Sequence, residues 1–373
     1  MTEHDELIYR IAFATYRNVN YSTAARLQAR HVTPEAFFTF PASTLASLTG
    51  LKSAVFADDR RHEALEAARR EADFVAANHI RAVFYTDPDY PARLAECSDA
   101  PAMLFMLGNV RTDYRHVISI VGTRHCTAYG LDFTRSLVED IAARLDDVLI
   151  VSGLAYGIDI AAHKAAMASG IATGAVFAHG LNTVYPADHR DAARRILGEG
   201  GFLATEYRTC ETIHRGNFLA RNRIVAGLAD ATIVVESDER GGAMSTAAIA
   251  QAYNREVLAV PGRIYDPASR GCNKLLARRQ ASVIRGADDL IEVMGWTARP
   301  QEGTQQEFAF DLTPTQQTVV DFIRKNPQAT VNDMCVALAL PFADLGNILF
   351  ELEMADVLVA IPGGRYGVIA KTI

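Results

Sequence analysis

The sequence predicts an α/β protein: a Rossmann-like, doubly wound, mostly parallel sheet flanked by an N-terminal helical module and a C-terminal winged helix. Three observations predict it. Short β-rich runs at 117–121, 148–151, 175–177, 232–235 and 257–260 alternate with amphipathic stretches at 129–145, 158–168, 187–197 and 244–253, the order that builds a parallel sheet with helices on both faces. The runs are continuously apolar, as strands covered on both sides must be. The chain of 373 residues is also long enough for two or three domains.

The first region, 1–82, reads as a small helical module of the SAM or helix-hairpin-helix type. Apolar positions recur at helical spacing through Leu7, Ile8, Ile11 and Ala12 and again through Ala64, Leu65 and Ala68. Ser22, Pro34 and Pro41 sit near expected helix starts and Gly50 near a stop. The α/β domain occupies 83–295. A polar stretch, 296–310, reads as a linker. The last region, 311–373, has helical stretches at about 314–326, 330–339 and 342–355. A strand at 357–361, a Pro362-Gly363-Gly364 turn and a strand at 366–369 follow. Three helices and a hairpin predict the winged helix.

Composition narrows the function. Hydrophobic content of 49% and charged content of 22% suit a soluble globular protein. The first ten residues carry Glu3, Asp5 and Glu6 without an apolar core, so no secretory signal is expected. No apolar run approaches the roughly 20 residues that cross a bilayer. Five scattered cysteines, Cys97, Cys126, Cys210, Cys272 and Cys335, favour neither disulfides nor zinc, and fit a reducing cytoplasm. No cofactor or metal is expected: there is no His/Cys/Asp/Glu cluster with ligand spacing, no P-loop and no full Gly-x-Gly-x-x-Gly. The net charge of −7 runs against a nucleic-acid partner unless positive charge gathers locally.

It does gather locally. A buried strand runs into Gly122-Thr123-Arg124 ahead of a helix. There Gly122 would let backbone approach a ligand, helix-start N–H groups would face it, and Arg124 would offer a fork of donors to phosphate. Ser152-Gly153, ahead of Tyr156, Gly157, Asp159 and His163, repeats the design at a second strand end; for His163 a structural role outweighs a catalytic one. In the third segment, Arg208, Arg215, Arg221 and Arg223 fall within sixteen residues, with Phe218 and Asn222 among them. Arginines neutralise phosphates and an aromatic ring stacks on exposed bases, so this mixture suits single strands. The alternatives are a core role for Phe218 and a buried structural role for Arg221. Ser245, in the block from Glu236 to Ala248, is a further candidate to cap the helix or contact phosphate.

The ordered set of blocks resembles the DNA-processing protein A (DprA/Smf) family. It runs from Tyr90-Pro91 through Leu107-Gly108, 121–124, 152–159, Gly180, Tyr185-Pro186, 218–228 and 241–247 to 260–262 and Gly271 with Asn273. The resemblance implies sequence-independent single-stranded DNA binding, a homodimer, and loading of the RecA recombinase during transformation or recombination. It implies a phosphate pocket at Gly122 and Arg124 beside Ser152-Gly153, with Arg215 and Phe218 as the basic–aromatic pair. Departures have consequences. Asn18-Val19-Asn20 stands where a helix-hairpin-helix turn wants glycines, so independent DNA binding there is not expected. Ala243 and Met244 depart, conservatively, from the more usual Gly-Ser-Leu, and Gln280-Ala281 replaces Gly-Ala. The expected recognition helix, 342–355, carries Asp344, Glu351 and Glu353 and no basic residue, so that module should bind protein or its own dimer mate rather than duplex.

Two rivals remain. A nucleotide phosphoribohydrolase shares the fold, but Ala248, Ile249 and Ala250 stand where its loop needs an acid, leaving only Glu206 and Glu236 as candidates; the expectation is that the chain is not an enzyme. A winged-helix transcriptional regulator is the other, and the acidic helix counts against it.

Overall fold

A computed structural model describes residues 2–16, 19, 21–299, 312–326, 328–354, 357–361 and 363–368. Asn18 and Asn20, residues 300–310 of the expected linker, and Ala355, Pro362 and Ile369 of the C-terminal elements lie outside the described residues. The chain forms two compact units, 1–299 and 300–373.

The first unit opens with helices α1 (Glu3–Ala14), α2 (Tyr21–Gln28), α3 (Pro34–Thr39), α4 (Ala42–Thr49) and α5 (Asp58–Ala77). Local chemistry sets their ends. Thr2 and Asp5 form a reciprocal capping box on α1. Thr33 caps α3 with Pro34 at its first position, and Gly50 closes α4 in the left-handed region at φ 74°.

The α/β segment contributes β1 (Arg81–Phe84), α6 (Ala92–Ala95), β2 (Met103–Gly108), β3 (His116–Val121), α7 (Ala128–Arg144), β4 (Val148–Ser152), α8 (Ile158–Ala168) and β5 (Ala172–Val176). It continues with α9 (Arg190–Gly198), β6 (Phe202–Thr205), α10 (Arg215–Leu228), β7 (Ala231–Val234), α11 (Gly242–Ala252), β8 (Glu256–Ala259), α12 (Arg270–Ala277), β9 (Ser282–Val283) and α13 (Ala287–Met294). The sheet order is β1-β2-β6-β5-β4-β3-β7-β8-β9. Every pairing from β6 to β9 is parallel, whereas β1 and β2 add an antiparallel edge. The chain winds outward from β3 through β4, β5 and β6, then crosses back along α10 to β7, so the winding direction reverses beside β3. That is a doubly wound sheet, and its ligand crevice is expected at the carboxyl ends there.

Alternate residues of each strand feed opposite layers. Val117 and Val121 join Leu149, Val151 and Val176 beneath Ile224 and Val225 of α10 and Ala247 of α11. Ile118, Ile120, Ile150 and Ile233 pack on the other face against Leu137 and Ile141 of α7 and Ala162 of α8. The N-terminal helices share a core with the antiparallel edge: Phe13, Phe37 and Ala72 pack in one cluster with Phe84, Met103 and Phe105. Trp296 to Arg299, the first residues of the expected linker, are tied down, since Arg299 N–H donates to the Arg144 carbonyl at 2.7 Å and its guanidinium pairs with Asp146.

The second unit holds α14 (Pro314–Lys325), α15 (Val331–Leu338), α16 (Phe342–Met354) and an antiparallel hairpin of β10 (Leu358–Ile361) and β11 (Arg365–Val368). Its own core contains Val320, Ile323, Met334, Leu345, Leu349 and Leu358. Among the described residues no single helix is long and apolar enough to cross a membrane.

Candidate nucleic-acid interface

The turns at the carboxyl ends of β3 and β4 lock into one another. A Cβ on Gly122 would lie 2.5 Å from Cγ1 of Ile158, and one on Gly157, at φ 76°, would lie 2.1 Å from the Thr123 carbonyl oxygen. Thr123 N–H donates to the Glu236 carbonyl at 2.7 Å, and Ile158 N–H donates to the Thr123 carbonyl at 3.2 Å. Gly122 therefore admits the first turn of α8 on the side where a Cβ would stand. Gly122 and Thr123 form the base of the turn, and Arg124 is the residue it projects into solvent.

The helix start behind that turn does hold an anion, but an internal one. The Glu236 carboxylate, from the end of β7, accepts the Thr127 N–H at 2.9 Å and the Thr127 hydroxyl at 2.5 Å. A Cβ on Gly130 would come 2.5 Å from Oε2. A carboxylate at a helix N-terminus is favoured by the unpaired N–H groups and the helix dipole. The expectation that these groups face a bound phosphate is corrected: Glu236 occupies the place.

Arg221 and Ser152 are likewise framework. Arg221 is buried, and its Nη1 donates to the carbonyls of Gly153, at 2.8 Å, and Val176, pinning α10 to the ends of β4 and β5. Gly153 lacks a Cβ because one would lie 2.4 Å from that guanidinium. The Asp159 carboxylate accepts the Gly153 N–H at 3.1 Å, and burial pushes its carboxyl up against the pull of the Arg221 charge. The Ser152 hydroxyl is fully buried and donates to the Ile120 carbonyl at 2.6 Å. Arg223, two positions along α10 from Arg221, faces elsewhere and pairs with Glu206 at 2.6 Å. Of the sequence-predicted contacts, Ser152, Gly153, Arg221 and Arg223 are thus spent on the fold.

What remains at the surface is compact. The Arg124 guanidinium lies over the Phe218 ring, 5.6 Å from its centroid, within cation–π range. Tyr185 also packs against Phe218, with centroids 5.6 Å apart and planes inclined by 58°. Phe218 is half-buried and Tyr185 is 49% exposed. Arg215 and Asn222 lie three residues before and four after Phe218 on α10, which places them on its face; Arg215 is exposed and Asn222 half-buried. Ser245 is half-buried in the first turns of α11.

Tyr185 was not among the predicted site residues, although its Tyr185-Pro186 doublet was visible. His179 holds it in place: Nε2 accepts the Tyr185 N–H at 3.2 Å while Nδ1 donates to the Gly180 carbonyl at 2.9 Å. Tyr156, in the loop after β4, is a further exposed ring at 44%, with its hydroxyl on Asp188 at 2.8 Å and its ring centroid 4.8 Å from that of His189. An arginine beside half-exposed aromatic rings can neutralise a phosphate and stack bases.

A model of the family described as DNA recombination-mediator protein A matches residues 81–295, more than half the chain. The chain belongs to the DNA recombination-mediator protein A family. A Mycobacterium tuberculosis relative, provisionally named DNA processing protein DprA, is 38% identical over 74% of this chain and 71% of its own length. The structure of DNA processing protein A from Streptococcus pneumoniae superposes with a TM-score of 0.64 at 28% identity, covering 78% of this chain and 98% of that one. DNA processing protein A of Helicobacter pylori, whose structure is described for its single-stranded DNA binding mode, matches at 29% identity with a TM-score of 0.52, covering 58% and 97%.

The match to the family begins at Arg81, yet the helices before it reach the site. Glu71 of α5 is buried and accepts both the N–H, at 2.9 Å, and the hydroxyl, at 2.6 Å, of Thr209. Gly180 packs against the same residue, its absent Cβ 2.6 Å from the Thr209 Cα. In this family member, α5 thus braces the loop that leads into α10 and the loop that carries Tyr185.

His163 has no contact with solvent. Thr173 donates its hydroxyl to the Ile150 carbonyl at 2.8 Å and so accepts from His163 Nδ1 at 2.7 Å, leaving Nε2 as an unpaired buried acceptor. Burial, with the nearby Arg221 charge, lowers its pKa from 6.5 to about 3. The unfolded chain therefore binds a proton that the folded one refuses. Stability from this group is complete above pH 6.5 and falls by about 1.4 kcal/mol per pH unit down to about pH 3. Urea unfolding at pH 7 and 5 should show His163→Gln losing less stability on acidification than the wild type; equal losses would refute the assignment.

Proposed function

We propose that this protein binds single-stranded DNA, without sequence preference, across the carboxyl end of its sheet. The observation that carries the reading is the contact set Arg124–Phe218–Tyr185, a guanidinium over the half-buried Phe218 ring, which in turn packs against exposed Tyr185, with Arg215 exposed on the same helix as Phe218. The Helicobacter pylori relative's single-stranded DNA binding supports it. The role we assign beyond binding is loading of RecA onto the strand, by a homodimer in the cytoplasm, during transformation or recombination.

The site is read as non-enzymatic. Both acids that a phosphoribohydrolase would have to use are engaged: Glu236 by Thr127, Glu206 by Arg223. Burial holds the Glu206 carboxyl above its ordinary range despite Arg223. We assign the C-terminal unit, read as a winged helix, to protein contact rather than duplex. Phe342, Phe350 and Met354 are all more than 60% exposed on α16 among Asp344, Glu351 and Glu353, a surface that phosphates would avoid.

Fluorescence anisotropy of labelled oligothymidine, at two salt concentrations and with a duplex control, tests the reading. The wild type should prefer the single strand. Arg124→Ala should bind about tenfold more weakly or worse, with a log–log salt slope shallower by about 0.7. No single-strand preference in the wild type would overturn the reading, and release of free base from a nucleotide would replace it with the hydrolase.

A further inference from the structure

At the far side of the same sheet end, the loop after β8 carries two neighbouring apolar side chains almost wholly in water: Ile264 is 79% exposed and Tyr265 is 90% exposed. Its base is clamped. Asn273 accepts the Gly262 N–H at 3.2 Å and donates to the Gly262 carbonyl at 3.0 Å. Tyr129, from the first turn of α7, donates its hydroxyl to the Pro261 carbonyl at 3.1 Å, and Gly262 sits so close to Ser269 that a Cβ would meet its Oγ at 2.0 Å. The tip is therefore held out on a fixed base, where burying two large apolar residues would have been the lower-energy choice.

Charge around the tip is biased. Arg263 in the loop, Arg270 at the start of α12 and Arg240 after β7 are exposed, and among the described residues none makes an ion pair or a side-chain hydrogen bond. The adjoining acids are occupied: Glu239 by Lys274 at 2.7 Å, Asp266 by the Ala268 N–H at 2.9 Å, and Asp238 by the Glu239 N–H at 2.7 Å. The two loops are knitted together by Ser237 N–H to the Ala268 carbonyl and Gly271 N–H to the Ser237 carbonyl, at 2.7 and 2.8 Å.

We infer that Tyr265, with Ile264, Arg263 and Arg270, is a second contact zone for the same single strand, extending its track from the end of β5 to the end of β8. The inference rests on the single-strand reading above. Tyr185 follows β5, Arg124 and exposed Tyr129 follow β3, Arg240 follows β7 and Tyr265 follows β8, in a sheet ordered β5-β4-β3-β7-β8. Four strand spacings of about 4.8 Å span roughly 19 Å, the length of about six nucleotides at 3.4 Å each. A strand shorter than that fills the Phe218 zone alone; a longer one reaches Tyr265 and stacks a base there.

Anisotropy titrations of the full chain with labelled oligothymidines of about four and about twelve residues distinguish the zones. Tyr265→Ala should weaken binding of the longer oligomer about fivefold or more and leave the shorter one unchanged. Phe218→Ala should weaken both. In a Tyr265→Trp variant, the longer oligomer should quench the new fluorophore and the shorter one should not. Wild-type affinity of Tyr265→Ala for the longer oligomer overturns the second zone while leaving the first intact. Unchanged affinity of Phe218→Ala for the shorter oligomer sinks the first reading instead.

Discussion

Phe218→Ala is expected to weaken oligothymidine binding by about 5- to 150-fold, the range set by roughly 1–3 kcal/mol for one stacked base. The ring is half-buried and held beside Arg124 and Tyr185, so a base that stacks on it meets a surface fixed by protein. Removing it also strips Arg124 of its cation–π support, worth about 0.5–1 kcal/mol at an exposed site. Arg124 and Phe218 should therefore be coupled: in a double-mutant cycle the combined loss falls short of the sum. Phe218→Tyr should keep most of the affinity, and Phe218→Leu, of similar apolar character without the flat face, should not. Wild-type affinity in Phe218→Ala, with an unchanged urea midpoint, would remove the ring from the interface.

Arg221→Ala should cost stability rather than affinity, by about 3–5 kcal/mol, the scale for breaking a buried charge network. The substitution leaves the Gly153 and Val176 carbonyls without their donor and Asp159 without the charge that opposes its burial. Arg221→Lys should recover only part of the loss, since one ammonium can serve the two carbonyls that Nη1 serves but has no second nitrogen to replace Nε on Asn222 Oδ1. The pH dependence has a definite sign. Asp159 is already held above its ordinary range, and without Arg221 its carboxyl rises further. The folded variant then keeps a proton that the unfolded chain gives up, so its deficit is largest at neutral pH and shrinks as the pH falls. Urea unfolding at pH 7 and pH 5 measures both. A loss under about 1 kcal/mol at pH 7 would show that the guanidinium is not structural.

The parallel strands were legible because burial on both faces leaves a continuous apolar run, and 117–121, 148–151 and 232–235 carry one. β2 was missed for the converse reason: Met103 to Leu107 is apolar, but Met and Leu suit helix as well as strand. β6, Phe202 to Thr205, holds a single β-branched residue where the equally short β7 holds three. The site was legible at the residues whose chemistry is outward: Arg124, Arg215 and Phe218 declare charge and stacking surface wherever the fold puts them. It was not legible at Ser152 or Glu236, and at Arg221 the buried structural role stood only as an alternative. Their side chains are of the types that bind phosphate or do acid–base work, and only the fold supplies the internal partner, Ile120, Val176 or Thr127, that consumes each one. Tyr185 was missed because its nearness to Phe218 depends on His179 folding the intervening loop back.

The shared core of the N-terminal helices and the antiparallel edge sets a limit on dissection. The family model's match starts at Arg81, but the chain does not come apart there. Phe84, Met103 and Phe105 lie against Phe13, Phe37 and Ala72, so a fragment truncated at the family boundary would bare a broad greasy flank on its outermost strands. It would also lose the Glu71 strut under Thr209. Such a fragment would be drawn to self-associate along that edge. A fragment meant to isolate the proposed DNA-binding half should therefore keep everything from α1 onward and be cut after Arg299, where the first compact unit ends.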